Sequence, residues 1–136
     1  MRSHEFEKFL EEVFRELGYA VEMTRVTGDQ GADLLVSKDG HRIATQVKGY
    51  LHSVGNEAVQ EAYFATAYYK CGACAVITDS RFTSGAKDAA DKSGCVLIDE
   101  IQLPLLIMAE IDLLQLILAV RTPPPPSSGK QQAGLR

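Results

Sequence analysis

The sequence has few cysteines, few histidines and no dense set of metal-ligating residues. Three of its 136 residues are cysteine and three are histidine, which excludes a disulfide-dense scaffold. An odd number of cysteines favours reduced thiols, and the isolated Cys71–Cys74 pair lacks the two further ligands that a zinc site needs. We therefore expect ordinary buried thiols.

Long hydrophobic runs are also missing. The longest apolar stretch without a charge, Leu103 to Ala109, contains Pro104 and is far shorter than the ~20 residues of a membrane span. The charged N-terminus does not resemble a secretory signal. From these patterns we expect a cytoplasmic protein that does not associate with membranes.

Positive charge is scarce where a domain would fold. After residue 120 the only charged residues are Arg121, Lys130 and Arg136, which leaves a net charge of −7 on the first 120 residues. Proteins that bind nucleic acid through phosphate contacts alone are basic. If this protein binds nucleic acid, its acidic groups need another purpose, and binding a cation is one.

Hydrophobic periodicity and turn residues predict nine elements. Their order, α-β-β-β-α-β-α-β-α, is typical of an α/β fold with a mixed central sheet flanked by helices. Residues 1–120 are expected to form one domain, and the proline-rich segment 121–136 a disordered tail. The predicted helices are 4–17, 56–70, 83–92 and 103–120, and the predicted strands are 19–25, 32–37, 42–48, 73–78 and 95–98.

The most informative segment is a predicted β-hairpin centred on Asp39-Gly40, the strongest short hairpin signal. A two-residue turn there places Asp33 opposite Gln46, and Lys48 points to the same side of the sheet. These three polar side chains are therefore expected to converge at one end of the hairpin. The opposite side is expected to face the core, with Leu34, Val36, Ile43, Thr45 and Val47.

A carboxylate, an amide oxygen and a lysine at one point can support phosphodiester hydrolysis. The two oxygens are hard ligands suited to Mg²⁺, and the lysine can position or help deprotonate a water molecule. The alternative is a solvated strand end, because a lysine–aspartate pair across strands is commonly a weak surface ion pair. Spacing alone leaves both interpretations open.

Beyond this spacing, the sequence resembles the Mrr-type restriction endonuclease domain of the PD-(D/E)XK nuclease superfamily over about residues 4–100. The matching elements follow the same order as in that domain. The residues that carry the resemblance are Gly18-Tyr19, Thr24, Thr27 to Leu35, Gln46-Val47-Lys48, Val54-Gly55, Val59-Gln60-Glu61, Val76-Ile77-Thr78, Phe82-Thr83, Ala86 and Leu97-Ile98-Asp99.

The resemblance implies a restriction-endonuclease-like fold and a Mg²⁺-dependent DNA endonuclease, with Mn²⁺ as a possible substitute. It implies that Asp33 and Glu7 are metal ligands and that Gln46 and Lys48 form the Gln-x-Lys motif, with Gln46 contributing its oxygen and Lys48 orienting the attacking water. Gln46 stands where most of the superfamily has a carboxylate. Gln60 matches a glutamine often retained in the following helix. Mrr proteins recognise their target through a separate domain, so the resemblance of residues 4–100 implies nothing about the target.

Further nucleic-acid contacts are predicted around this site. Asp29 and Gln30 lie in a glycine-flanked loop before Asp33, where they can meet a phosphate or a base edge, although turn chemistry explains them equally well. Tyr50 follows Lys48 and can stack on a base.

Two alternatives to a restriction-type endonuclease remain open. The first is a non-catalytic nucleic-acid or partner-binding module that kept the fold, motivated by the acidic domain and the neutral Gln46. The second is a Holliday-junction resolvase-like nuclease, which shares the fold and the metal chemistry.

The C-terminal helix predicts a homodimer, because its apolar residues cover more than the ~100° stripe that one core contact needs. One set is expected to cover the sheet: Leu103, Leu106, Ile107, Leu114 and Ile117. The other set is expected to face outward and pair with a second copy: Leu105, Met108, Leu113, Leu116 and Val120.

Overall fold

The computed structural model describes residues 3–24, 33–49 and 52–121, and within these ranges a five-stranded sheet carries helices on both faces. The expected α/β architecture with a mixed sheet is confirmed. Its elements are α1 (Ser3–Glu16), β1 (Ala20–Met23), β2 (Leu34–Lys38), β3 (His41–Lys48), α2 (Asn56–Tyr69), β4 (Ala73–Thr78), α3 (Ser84–Ser93), β5 (Val96–Ile98), α4 (Leu103–Ile107) and α5 (Leu113–Arg121).

The sheet follows the strand order β1-β2-β3-β4-β5. The first three strands form an antiparallel meander, and β3, β4 and β5 run parallel to one another. Parallel strands need crossover connections, and α2 and α3 supply them. The carboxyl ends of β3 and β4 therefore lie side by side at one edge of the sheet.

The hairpin between β2 and β3 has the register that the sequence predicts. Lys38 pairs with His41 and Leu34 pairs with Thr45. The turn residues Asp39 and Gly40 have φ angles of 52° and 81°, the left-handed conformation that a two-residue turn of this kind requires. A slip by one residue would move every side chain to the other face, so this turn fixes which residues reach the site.

Both faces of the sheet are buried, and only one of the two cores was predicted. The first lies under α1 and α5 and contains the predicted hairpin residues Leu34, Val36, Ile43 and Val47. The second lies under α2 and α3, where Leu35 and Ala44 pack against small helical residues. The sequence pattern did not assign Leu35 and Ala44 to a core, whereas in the structure α2 covers this side of the hairpin.

The single helix predicted over residues 103–120 is also wrong. It breaks into α4 and α5 around Ala109, which has a φ of 62°. Asp112 caps the start of α5, where its carboxylate accepts a hydrogen bond from the backbone N–H of Gln115 (3.2 Å). Leu113, expected to face outward, is fully buried, and Ile107, expected to cover the sheet, is exposed.

This break removes the continuous outward stripe on which the predicted homodimer depended. Met108 and Val120 are exposed, whereas Leu105 and Leu116 are half-buried. Nothing in the described part of the chain supports a dimer through this segment, so the dimer stays a prediction. None of the described helices is long and apolar enough to cross a membrane.

A buried tyrosine ties the beginning of α5 to the rest of the molecule. The Tyr19 hydroxyl donates to Asp112 Oδ1 (2.6 Å) and accepts from the backbone N–H of Leu114 (2.9 Å). It thus satisfies one of the N–H groups that have no partner within the helix.

We expect Tyr19→Phe to lower the free energy of unfolding by about 1–3 kcal/mol, because the buried Leu114 N–H would lose its partner. Urea denaturation measures this change. Tyr63→Phe serves as the control, since the Tyr63 side chain is exposed and its substitution should change stability by less than about 0.5 kcal/mol. Equal stability of Tyr19→Phe and wild type would show that the hydroxyl contacts contribute nothing.

Candidate functional site

The polar end of the hairpin is built around Asp33, immediately before β2. The Asp33 backbone N–H donates to the Thr45 carbonyl (2.9 Å), and its Oδ2 accepts from the Val47 N–H (2.8 Å). These two bonds fix the aspartate against the end of β3. The second bond holds Oδ2 at the end of β3, which leaves Oδ1 available to a neighbouring side chain.

That neighbour is Glu7, which α1 brings to the same strand end. The adjacent Phe6 is buried in the core, so the helix position of Glu7 is set by packing. The Glu7 and Asp33 carboxyl groups lie close enough for a hydrogen bond between them. Burial, the charge of Asp33 and this hydrogen bond, in decreasing order of effect, together raise the pKa of Glu7 from 4.5 to about 7.

Burial also raises the pKa of Asp33, while the Val47 N–H, the Lys48 charge and the hydrogen bond with Glu7 act in the opposite direction. The balance of these effects favours a proton shared between the two carboxyl groups and held on Glu7. Two acids held together in this way are poised to exchange the proton for a cation.

Gln46 points from β3 into the same region, and its side chain is only 6% exposed. Its Nε2 donates to Glu61 Oε1 on α2 (2.8 Å). Its Oε1 is buried and has no hydrogen-bond partner among the described residues. Buried polar atoms are nearly always paired, so this orphaned oxygen is the most informative atom of the site.

Lys48 completes the cluster at the last position of β3. Its Nζ lies 3.3 Å from Glu61 Oε1, and its side chain is 20% exposed. The Lys48 backbone carbonyl accepts from the hydroxyl of Thr78 at the end of β4 (2.6 Å). The parallel neighbour strand therefore helps to anchor the backbone from which the lysine side chain projects.

These residues fit a hard divalent cation. Two carboxylates that share a proton and an unpaired amide oxygen form the oxygen-rich set that Mg²⁺ prefers. Within the described ranges no three His, Cys, Asp or Glu side chains are grouped as a metal site, and here the third oxygen comes from an amide. A bound cation would offset the repulsion between the carboxylates of Glu7 and Asp33, and it would give the Gln46 oxygen a partner.

The structure brings together four of the predicted site residues, Glu7, Asp33, Gln46 and Lys48. It does not bring Gln60 to them: Gln60 is exposed and lines a groove with Tyr63 and Phe64, between α2 and α3. The predicted contacts Asp29, Gln30 and Tyr50 lie outside the described residues. As nucleic-acid contacts, all four of these side chains stay predictions.

Glu61 is the residue that the sequence analysis missed. Its position follows from the buried residues Ala58, Ala62 and Ala65, which form a row on the side of α2 that packs on the sheet. At ~100° per residue, Glu61 lies at the border of this row and Gln60 lies on the far side.

The proton shared by Glu7 and Asp33 makes the stability of the metal-free protein depend on pH. The unfolded chain releases the Glu7 proton near its ordinary pKa of 4.5, whereas the folded protein keeps it to about pH 7. The folded state therefore binds more protons in this window, and the free energy of unfolding should fall as pH rises from about 4.5 to about 7.

Glu7→Gln should remove this part of the pH dependence. Urea denaturation in a chelator at pH 5 and pH 8, for wild type and the variant, measures it. The same loss of stability between the two pH values in both proteins would contradict the shared proton.

Comparison with known proteins places this geometry in a family. Residues 1–107 match the Mrr_cat family, a family of restriction endonucleases. The type IV methyl-directed restriction enzyme EcoKMrr of Escherichia coli strain K12 is 34% identical over 125 residues, covering 85% of this chain and 41% of the relative. The chain thus spans about two fifths of that relative's length.

Three solved structures share the fold at low sequence identity. The DNA modification-dependent restriction endonuclease AspBHI has a TM-score of 0.62 at 18% identity, covering 85% of this chain and 33% of its own. MspJI restriction endonuclease in complex with a 27-mer oligonucleotide has a TM-score of 0.52 at 22% identity, covering 88% and 32%.

The third structure, AF1548, is a protein of unknown function, with a TM-score of 0.62 at 16% identity over 85% of this chain and 75% of its own. These likenesses confirm the restriction-endonuclease-like fold. The match over residues 1–107 establishes that the chain belongs to the Mrr_cat family of restriction endonucleases.

Proposed function

We propose that this chain is a metal-dependent nuclease domain that hydrolyses phosphodiester bonds of DNA, with Mg²⁺ as its cofactor and Mn²⁺ as a substitute. The observation that carries the proposal is the buried, unpaired oxygen of Gln46 in the polar cluster that also contains the carboxyl groups of Glu7 and Asp33. If the cluster were purely structural, this buried oxygen would stay without a hydrogen bond, which is energetically unfavourable. A bound cation would give it a partner.

Asp33, Glu7 and Gln46 would hold the cation. When bound, a divalent cation acidifies water and stabilises the negative charge that develops on a phosphate. Asp33 offers one oxygen while the Val47 N–H holds the other. Glu7 would give up the shared proton to the solvent when it holds the cation, and Gln46 would contribute a neutral oxygen that adds no further negative charge near the substrate.

Lys48 acts on the reacting groups with its positive charge. Glu61 holds the ammonium near the site through the 3.3 Å contact, and the charge of Lys48 is close enough to Asp33 to lower its pKa. From this position the ammonium can donate hydrogen bonds to a water molecule and to a phosphate oxygen. Such fixed donors stabilise charge that develops in the transition state.

DNA is the proposed substrate because the relative EcoKMrr is a restriction enzyme and the structural neighbour MspJI was solved in complex with an oligonucleotide. Target selection, including any dependence on methylated bases, lies beyond what this chain's site specifies. We also propose that the protein acts in the cytoplasm, where the DNA of a bacterium such as Escherichia coli, the source of the relative EcoKMrr, is found.

Incubation with supercoiled plasmid tests the proposal. Methylated and unmethylated plasmid are compared in Mg²⁺, in Mn²⁺ and in a chelator, with Asp33→Ala as the inactive control. We expect nicking of at least one plasmid that requires the metal and Asp33. Binding without any cleavage would instead favour a non-catalytic module, and preference for a four-way junction over linear duplex would favour a resolvase.

A further inference from the structure

Glu61 contacts both polar side chains at the end of β3, although it lies on α2, a different element from those that carry Glu7, Asp33, Gln46 and Lys48. A single oxygen, Oε1, accepts from Gln46 Nε2 (2.8 Å) and lies 3.3 Å from Lys48 Nζ. The Glu61 side chain is 44% exposed, so its carboxylate makes these contacts while keeping part of its hydration. α2 is held in place by its row of buried alanines.

The chemistry of the two groups determines which way the amide points. An ionised carboxylate only accepts hydrogen bonds, whereas an amide donates through nitrogen and accepts through oxygen. The Gln46 nitrogen must therefore face Glu61, and its oxygen must face the opposite way. The reversed amide would place two acceptors against each other.

A neutral glutamine serves as a metal ligand only if its oxygen is the atom presented. In the described structure that oxygen is buried and lacks a partner, a state that an unconstrained amide would leave by rotating. We infer that Glu61 is a positioning residue, which fixes the Gln46 amide with its oxygen available to the cation. This inference rests on the proposed function.

Glu61 has two other conceivable roles, and each predicts a different dependence on Gln46. If Glu61 merely links α2 to the sheet through Lys48, removing Glu61 should not change the contribution of Gln46 to metal affinity. If it binds the cation directly, its effect should be independent of Gln46. A positioning residue has an effect only while Gln46 is present, which a double-mutant cycle measures.

The first experiment needs no metal. In ¹⁵N-labelled wild type, the Gln46 side-chain amide protons, assigned by their loss in Gln46→Ala, should exchange with water more slowly than those of the exposed Gln115. Glu61→Ala should abolish this protection and Glu57→Ala, on the same helix, should leave it. Exchange as fast as that of Gln115 in wild type would overturn the inference.

The second experiment titrates Mn²⁺ into the same proteins by calorimetry. We expect Glu61→Ala to lower affinity about tenfold, the usual scale for a residue that orients a metal ligand, and Glu57→Ala by less than about twofold. In the Gln46→Ala background, Glu61→Ala should have less than about a twofold further effect. The inference would be overturned if the losses of Mn²⁺ affinity multiplied in the double variant, or if Glu61→Ala alone lost no affinity.

Exchanging the two residues provides a rescue test. In Gln46→Glu/Glu61→Gln the new amide at position 61 can donate to the new carboxylate at position 46, whose second oxygen faces the site. Mn²⁺ affinity should return to the wild-type level or exceed it, and an affinity as low as that of Glu61→Ala would count against positioning. A wild type that binds no Mn²⁺ overturns the proposed function, and the amide exchange then decides alone whether Glu61 positions Gln46.

Discussion

Replacing Lys48 with alanine is expected to lower the rate of metal-dependent DNA cleavage about 10²-fold or more, because a fixed charge and proton donor at the reacting groups would be lost. The fold should survive. The strand position depends on the Lys48 backbone, whose carbonyl accepts from the Thr78 hydroxyl, and not on the ammonium. Nicking of supercoiled plasmid under saturating Mg²⁺ measures the rate.

Lys87→Ala is the matched control, since Lys87 is an exposed lysine on α3 outside the site, and it should cleave like wild type. The loss in Lys48→Ala should fall mainly on kcat, because the lysine acts in the transition state. An unchanged rate, or a change confined to KM, would make Lys48 a binding or surface residue.

The second large effect is expected for Asp33→Asn, which should reduce Mn²⁺ affinity at least about tenfold and cleavage about 10²-fold or more. The new side chain keeps an oxygen that can accept from the Val47 N–H, so the local fold is retained. It removes the charge that draws the cation to the pair with Glu7. Wild-type binding itself should be weak, roughly millimolar, because few carboxylates contribute.

Calorimetric titration of Mn²⁺ measures the first effect and the plasmid assay the second. Asp88→Asn is the control, since Asp88 forms an exposed pair with Lys92 on α3 and its loss should change neither quantity. Equal Mn²⁺ binding by Asp33→Asn and wild type would remove Asp33 from the metal site.

The hairpin and the cluster it carries could be predicted because their causes are local. The Asp39-Gly40 turn needs left-handed φ angles, and those angles fix the register of β2 against β3. This register places Asp33 next to the end of β3. Glu7 was predicted from family resemblance alone, since its reach to Asp33 depends on how α1 packs on the sheet.

The second core could not be predicted in the same way. α2 has small and apolar residues around much of its surface, so no single stripe indicates which side faces the sheet. Only the placement of α2 over Leu35 and Ala44 shows that Glu61, and not Gln60, contacts the strand end.

The break between α4 and α5 was missed for a different reason. The hydrophobic pattern continues across it, so periodicity alone predicts one helix. A capping signal was nevertheless present, because Asp112 stands three residues before Gln115, in the arrangement that begins a helix. The contact of Asp112 with Tyr19 is nonlocal and could only be seen in the structure.

The most direct test of the proposed metal site is anomalous X-ray diffraction from crystals of the protein soaked in Mn²⁺. A peak in contact with the carboxylates of Asp33 and Glu7 and with the side-chain oxygen of Gln46 is the expected result. No peak between these residues at saturating Mn²⁺, or a peak that Gln46 does not contact, would contradict the metal site on which the proposed nuclease activity depends.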